Sequence, residues 1–564
     1  MALNTESNFI SRRQFLTTSG TIAGGMALAS LTGCGVVSQL TSRRPPNIIC
    51  FMADDMAPEY LGCYGGDIPT PNIDHLAQSG TRFDAAYCSA SVCTPSRFSL
   101  LTGQYANRCD HPVFMTHNPV SDPACITWNT YLHANSDTIP RRLSQAGYQT
   151  GFAGKWHTSP AQHTMELPPL NPDDDPEDPT VDRFLQDHQR ALIQAVKSTG
   201  GFQNAASVLW ENWEQAPLKA LRVHNMEWIT HGALNLLDQF SSDQPFFLYV
   251  GATGIHGPDH SAILSQDMRL TPEGRFAEPF AGSLPRDSIV ARLESAGLDA
   301  YHRTIGMVQV DDMVGALYDR LTAQDRVSNT IFIFLADHNT EPAKSTCYEK
   351  GVHAPLIIRD GRREIGGTSN QNRVQNVDIS AYILAQAGVK TNSMLLDGSS
   401  AAVAASATQK ELNRRLLYFE NGYTRGISDG QYKYIAFRYP QHLLEQMKSG
   451  AMTEAVNHLN MPDQHQPAIA MRYYPGYFDV DQLYDLNQDP YEQDNRSSDP
   501  AYKQEMLRLQ DELRRLVANF RHPFDLKDTH FQMSAQYRQL VAFSRARGTG
   551  HIPWWRDDFR WPPR

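Results

Sequence analysis

The chain has 564 residues, of which 41% are hydrophobic and 20% charged, and its formal net charge is −11. That is ordinary globular composition, with length enough for one large domain and one small one. The mild acidity and the lack of a long basic run argue against nucleic acid as a partner, because phosphate binding needs clustered Lys and Arg.

The N-terminus reads as an address rather than as fold. Arg12 and Arg13, within Ser11–Leu16 (SRRQFL), precede a weakly apolar stretch rich in Gly and Thr. The run to Gly33 is too short and too polar to span a bilayer. The paired arginines resemble a twin-arginine export signal. Leu31-Thr32-Gly33-Cys34 resembles a bacterial lipobox, in which Cys34 is acylated and becomes the mature N-terminus. Residues 1–34 are therefore expected to be a signal peptide handled by export machinery, with Cys34 as a lipid anchor. The mature protein is expected in the periplasm or on the surface of a bacterial cell.

Beyond residue 45, short apolar runs alternate with helical patterns. NIICFMADD runs into Asp54 and Asp55, and TPNIDHLAQSGTRF reads as a helix. DTIPRRLSQAGY is a second helical pattern, followed by YQTGFAGKWH, which runs into Lys155 and His157. PFFLYVGATGIHGP delivers His256, YHRTIGMVQVDDMVGALYDRL is a long helix, and TIFIFLADHN ends in Asp337 and His338. Continuous β-branched and aromatic runs of this length read as strands buried on both faces. Strand–helix alternation then predicts a doubly wound, mostly parallel α/β sheet. In such sheets ligands gather at the carboxyl ends of the strands, where these charged residues fall.

Two stretches break the rhythm. LPPLNPDDDPEDPT is a Pro/Asp loop, and the segment after it, with Trp210 and Trp213, reads as helical. Together, about 165–220 form an insertion that could wall the site and set substrate choice. DGSSAAVAASATQ, at 397–409, has the small, polar make-up of a linker. Past it, LLYFENGYTRGISDGQYKYIAF predicts antiparallel strands joined by Gly and Asp turns, and AYKQEMLRLQDELRRLVANF an amphipathic helix. The expected organisation is a catalytic α/β domain over 46–410 and a smaller antiparallel-sheet-plus-helix subdomain over 411–564.

The candidate chemistry starts with carboxylates. Asp54 and Asp55 are adjacent at a strand end, and such like charges repel unless a cation sits between them. Asp337 and His338 form a second ligand pair. Three carboxylates suit a hard divalent cation, Ca²⁺ or Mg²⁺, and a nitrogen ligand leaves that metal open. Cys93 opens the run CTPSRFSLLTG. Pro95 is pre-organised for a first helical turn, so the positive end of that helix would meet Cys93. Eight cysteines occur, none with zinc spacing. Outside the cytoplasm some of them could pair.

CTPSR followed by Thr102-Gly103 resembles the signature of the type I sulfatases, a family of the alkaline-phosphatase-like superfamily. ADD, TPNIDHLAQSG, GYQTGFAGKWH, IHGP, ADH, KSTCYEKGVHAPLI and LYDLNQDPYEQDN are similar to further family segments, so the resemblance spans most of residues 46–500. It implies an alkaline-phosphatase-like fold and hydrolysis of a sulfate ester of a carbohydrate, aryl or other small alcohol. It also implies that a maturation enzyme oxidises Cys93 to formylglycine. One hydroxyl of the aldehyde hydrate attacks sulfur, the alcohol leaves, and the second hydroxyl loses its proton to expel sulfate. By the family's motifs, Asp54, Asp55, Cys93, Asp337 and His338 are the metal shell, usually for Ca²⁺. Arg97 supports the hydrate and its ligands. Lys155 and His157 hold the hydrate, with His157 the base for its collapse. His256 and Lys344 bind sulfate oxygens and supply the proton to the leaving oxygen, while Lys350 is structural. Asn339 stands where the family commonly has Gly, which predicts a different or left-handed turn. Related enzymes of the superfamily cleave phosphate and phosphonate esters, and an exported binder that keeps Cys93 as a thiol is the non-catalytic alternative.

Overall fold

The computed structural model describes residues 44–160, 170–280, 286–340, 342–363, 366–391, 394–403, 415–449, 470, 473–477 and 479–527. The signal-peptide residues 1–34, with Arg12, Arg13 and Cys34, and part of the 397–409 linker lie outside them. An eight-stranded sheet runs through the α/β region. Its strands are β1 (Asn47–Ala53), β2 (Thr81–Phe83), β3 (Gln149–Lys155), β4 (Asn204–Leu209), β5 (Phe246–Gly251), β6 (Thr330–Ala336), β7 (Leu356–Asp360) and β8 (Thr368–Asn370). Across the sheet they lie in the order β8-β2-β7-β6-β1-β5-β3-β4. The five strands β6, β1, β5, β3 and β4 are parallel, whereas β7 runs antiparallel to both β6 and β2.

Each apolar run is a strand because both of its faces are covered. Side chains alternate across the sheet, so Ile49, Phe51 and Ala53 enter one hydrophobic cluster while Ile48, Cys50 and Met52 enter the other. Helices α1 (Pro71–Gln78), α4 (Met226–Gln239) and α5 (His302–Ala323) supply the first cluster through Ile73, Leu237 and Val314. Helices α2 (Cys93–Thr102), α3 (Ile139–Gln145) and α6 (Asn376–Gln386) supply the second through Phe98, Leu143 and Ile383. The expected helices at 137–148 and 301–321 are therefore present, and the one at 70–83 ends at Gln78, its last residues Thr81–Phe83 being β2. The segment after the Pro/Asp loop is helical over Pro179–Ala195 as expected, but its Trp-containing part is a correction: Trp210 follows strand β4 and Trp213 opens a short 3₁₀ turn, Trp213–Gln215. The pairing of β4 with β3 outweighs the helical pattern, because it extends the buried parallel sheet by one strand.

A second sheet of β9 (Leu417–Asn421), β10 (Thr424–Ser428), β11 (Tyr432–Phe437) and β12 (Asp481–Asp485) is antiparallel throughout. One face meets the amphipathic helix α7 (Lys503–Val517), burying Tyr418, Ile427 and Tyr434 against Leu509 and Leu513. The other face, with Phe419, Ile435 and Phe437, packs on Ala343, Cys347 and Tyr348. The small sheet thus backs the segment that carries Lys344. Among the described residues no cysteine is in a disulfide, and no helix is long and apolar enough to cross a membrane.

Candidate active site

The parallel strands end together, and that edge gathers the candidate residues. Asp54 and Asp55 follow β1, Lys155 closes β3, and Asp337 and His338 follow β6. Cys93 is the first residue of α2, a helix whose ten residues are all buried. The Thr-Gly of the motif has a structural cause. Gly103 takes φ 71° to end α2 and lets its N–H reach Ser99 O at 2.9 Å. Gly154, before Lys155, has φ 97°, and a Cβ there would meet Gly251 O at 2.1 Å.

Around Cys93 the contacts are direct. Its Sγ lies 3.3 Å from His338 Nε2, 3.6 Å from Lys155 Nζ and 3.7 Å from Asp54 Oδ1. Lys155 Nζ is also bonded to Asp54 Oδ2 and to Asn212 Oδ1. Arg97, one turn along α2, donates to Asp337 Oδ2 from Nε at 3.2 Å and Nη2 at 3.0 Å, and to Lys155 O at 3.1 Å. Its Nη2 is 3.5 Å from Asp54 Oδ2. Ser96 donates to Asp337 O at 2.6 Å. Asp337 Oδ1 accepts the N–H groups of Asp55 and His338 at 3.1 and 2.9 Å. These contacts lock the carboxylates before any ligand arrives.

Ligand-capable atoms of Asp54, Cys93, Asp337 and His338 lie within 4.8 Å of one another, all four residues buried. Two buried carboxylates and an imidazole fit a divalent cation, with the fourth position set by the atom that residue 93 presents. Asp55 stands beside this group. Its Oδ1 is 3.4 Å from His338 Nδ1 and its Oδ2 is 3.0 Å from Lys344 Nζ. Of the six described non-glycine residues with positive φ, three lie at the site: Asp55 (φ 62°), His157 (φ 52°) and Ser345 (φ 69°). Such backbone costs free energy and concentrates where side chains must be aimed.

The charges shift one another. Burial opposes ionisation of Asp54, but Lys155, Arg97, His256 and Lys344 outweigh it and hold the carboxyl well below its usual range. Burial likewise opposes the charge on Lys155, and Asp54 outweighs it upward. Burial pushes the Cys93 thiol up to about 12, with Lys155 pulling against it. Burial, then Lys155 and Arg97, hold His157 neutral, and its Nδ1 has no hydrogen-bond partner. Burial, then Lys344 and Lys155, push His256 down to about 3. Its Nδ1 meets Gly257 O at 3.1 Å, so that nitrogen carries the proton and Nε2 is left for exchange.

All ten predicted residues therefore converge, His157 and His256 through electrostatic contact with the same groups. Lys350 pairs with Glu59 near the surface instead. Asn339 makes no left-handed turn, since its Nδ2 is spent on His353 O at 2.9 Å. Sequence reasoning missed Asn212 and Ser96. Asn212 had no signal beyond its place in the insertion, whereas Ser96 lay inside the CTPSR motif.

Comparison with known proteins agrees with this geometry. The sulfatase family model matches residues 46–389. Arylsulfatase A of Homo sapiens is 27% identical over 490 residues, covering 81% of this chain and 84% of that protein. An N-acetylgalactosamine-6-O-sulfatase of Bacteroides thetaiotaomicron is 25% identical over 561 residues, covering 83% and 93%. Among solved structures, Ps i-CgsB in complex with k-i-k-neocarrahexaose has a TM-score of 0.54 at 19% identity, covering 89% of this chain and 99% of that one.

Proposed function

The chain belongs to the sulfatase family, and on that premise we propose that it releases inorganic sulfate from a carbohydrate sulfate ester, with residue 93 matured from cysteine to formylglycine. The carrying observation is Cys93 itself, at the head of a buried helix and in contact with His338, Lys155 and Asp54. A thiol raised to about 12 is a poor nucleophile at neutral pH. An aldehyde hydrate at that position presents oxygens to the same neighbours. The carbohydrate assignment is supported by the N-acetylgalactosamine-6-O-sulfatase relative.

Asp54, Asp337 and His338, with Asp55 beside them, would hold Ca²⁺ or Mg²⁺. When bound, such an ion draws charge from a hydroxyl and from sulfate oxygens, easing deprotonation and attack. Arg97 keeps the Asp337 and Asp54 carboxylates turned toward residue 93. Lys155 and Lys344 bring fixed positive charge to a sulfuryl group whose transition state spreads negative charge over its oxygens. His157, neutral and with Nδ1 unpartnered, takes the proton whose loss frees sulfate from residue 93. His256 and Lys344 hold the ester and return a proton to the leaving oxygen. The arriving sulfate charge opposes Lys344 and Lys155, which add to burial in keeping His256 deprotonated. Residues 1–34 serve as the export signal and Cys34 as the acylated anchor.

The test combines chemistry and product. Protein made beside a maturation enzyme should yield a residue-93 peptide of aldehyde mass and should hydrolyse sulfated sugars in preference to phosphate or phosphonate monoesters. An intact thiol throughout, or a phosphonate preference, defeats the reading. Cys93→Ser should fold and not turn over. Arg12→Lys with Arg13→Lys should block export.

A further inference from the structure

The loop carrying His256 is irregular, and three histidines outside the catalytic set surround it. His224, His260 and His302 are buried. The rings of His224 and His260 stack with centroids 3.6 Å apart, and those of His260 and His302 stand at 5.1 Å. The two flanking rings meet the loop's main chain. His224 Nε2 lies 3.0 Å from the carbonyl oxygens of both His256 and Pro258. His302 Nε2 lies 3.1 Å from Ile255 O. A carbonyl can only accept, so both Nε2 atoms carry the proton.

The other ring nitrogens agree. His302 Nδ1 accepts the main-chain N–H of His260 at 3.1 Å. His224 Nδ1 is 3.1 Å from Thr253 Oγ1, which itself accepts from Trp213 Nε1 at 2.9 Å. The Thr253 hydroxyl also lies 3.1 Å from Met226 Sδ, but a thioether sulfur is a weak acceptor, so its proton goes to His224 Nδ1. Both rings are Nε2–H tautomers with both nitrogens satisfied. The loop is also tied to Asp54, through Asp54 N to Gly254 O at 3.0 Å and Ile255 N to Asp54 O at 2.6 Å.

We propose that His224 and His302 are positioning residues that clamp the main chain at 255, 256 and 258 and so aim His256 Nε2 at the leaving oxygen of the ester. This rests on the assignment of His256 to that oxygen. His256 has its Nδ1 bonded to a carbonyl of the same loop, so a shift of the loop carries ring and anchor away together. A positional error near 1 Å is enough to cost on the order of 100-fold in rate.

The test uses matured enzyme and a series of aryl sulfates whose phenols differ in acidity. para-Nitrophenolate leaves without a proton, whereas phenolate needs one. His224→Phe keeps the ring stack and deletes all three hydrogen bonds of His224, and His224→Gln restores an N–H donor. His224→Phe is expected to lower kcat/KM about 100-fold for phenyl sulfate but under about 5-fold for para-nitrophenyl sulfate, with His224→Gln recovering to within about 5-fold of wild type. His256→Ala should steepen the same dependence. If it does and His224→Phe does not, the clamp is wrong and the role of His256 stands. If His256→Ala leaves the dependence flat, the role of His256 and the clamp both fall. Should His224→Phe fail to fold, Thr253→Val, which removes the hydroxyl bonded to His224 Nδ1 and so frees the ring to turn, must steepen the dependence for the clamp to survive. Apart from turnover, imidazole ¹⁵N spectra of the wild type should show His224 and His302 as Nε2–H tautomers. The Nδ1–H form at either residue overturns the proposal.

Discussion

Replacing Lys433 by methionine keeps an unbranched apolar stem but deletes a charge held between two carboxylates. Lys433 Nζ is fully buried, 2.7 Å from Glu349 Oε1 and 3.1 Å from Glu492 Oε1, with the Phe419 ring centroid 5.0 Å away. Glu492 Oε2 also accepts the Glu349 N–H at 2.7 Å. This network joins strand β11 of the small sheet to the turn that follows Lys344. Burial pushes Glu492 up to about 7, while Lys433 overcomes burial to keep Glu349 below its ordinary range. At pH 6, then, the site holds one ammonium, one carboxylate and one carboxylic acid. Lys433→Met removes the charge that keeps Glu349 ionised against burial, so both buried carboxyls must bind a proton to stay folded, and the cost of that grows from pH 6 to pH 8. Removing one partner of a buried pair costs about 3–5 kcal/mol, so the loss should sit near the lower figure at pH 6 and near the upper at pH 8. Urea-unfolding midpoints at the two pH values measure it. Adding Glu349→Gln should recover most of the loss at pH 8, because one of the two buried carboxyls that must be protonated there is gone. An undiminished midpoint, or a loss that Glu349→Gln leaves untouched, would refute the reasoning. Because the segment carrying Lys344 leans on this network, kcat on a sulfate ester should fall by about 10-fold as well.

A pH effect is expected from Glu420. Burial raises it from 4.5 to about 7, although Asn107 N and Tyr418 OH donate to it at 3.1 and 3.0 Å. A folded value above the unfolded one means the folded state binds more protons between the two. The group's contribution is therefore most favourable below the unfolded value and is lost as pH rises through the folded one. At about 1.4 kcal/mol per unit, the loss is about 3 kcal/mol. Glu420→Gln should remove this slope from a plot of Tm against pH, and an unchanged slope would contradict the assignment. Asp54→Ala should lose bound divalent metal, measured by elemental analysis, together with turnover, and unchanged metal content would count against the carboxylate. Asn212→Ala removes the side chain that steadies Lys155 Nζ. A hydrogen bond to a charged group contributes about 1.5–3 kcal/mol, so kcat/KM should fall by about 10- to 100-fold, and wild-type kinetics would remove Asn212 from the site.

Much of the site was legible along the chain because the chemistry sits where apolar runs stop. β1, β3 and β6 are continuous hydrophobic strands, and a charged residue directly after such a run must emerge at the sheet edge, as Asp54, Lys155 and Asp337 do. The spacing of Cys93 and Arg97 is one helical turn, which local structure alone places on one side of α2. Strand β4 was hidden because its residues look helical in isolation, and its pairing partner β3 lies about fifty residues away. The direction of β7 was equally silent, since periodicity carries no information about which neighbour a strand will join. His224 and His302 sit thirty or more residues from His256, and His224 opens no motif. Their meeting on the carbonyls of residues 255, 256 and 258 depends on how α5 and the turn before α4 pack over the sheet.

The sequence by itself determined the residue types at the strand ends and the helix that begins at Cys93, because these follow from patterns within a few residues of one another, and it indicated the class of reaction through the family resemblance spread over residues 46–500. Tertiary structure alone decided which carboxylate meets which cation, that Asp55 faces Lys344, and that Asn212 reaches Lys155. Those are contacts between segments far apart in the chain, and burial sets their strength by removing the water that would otherwise screen them.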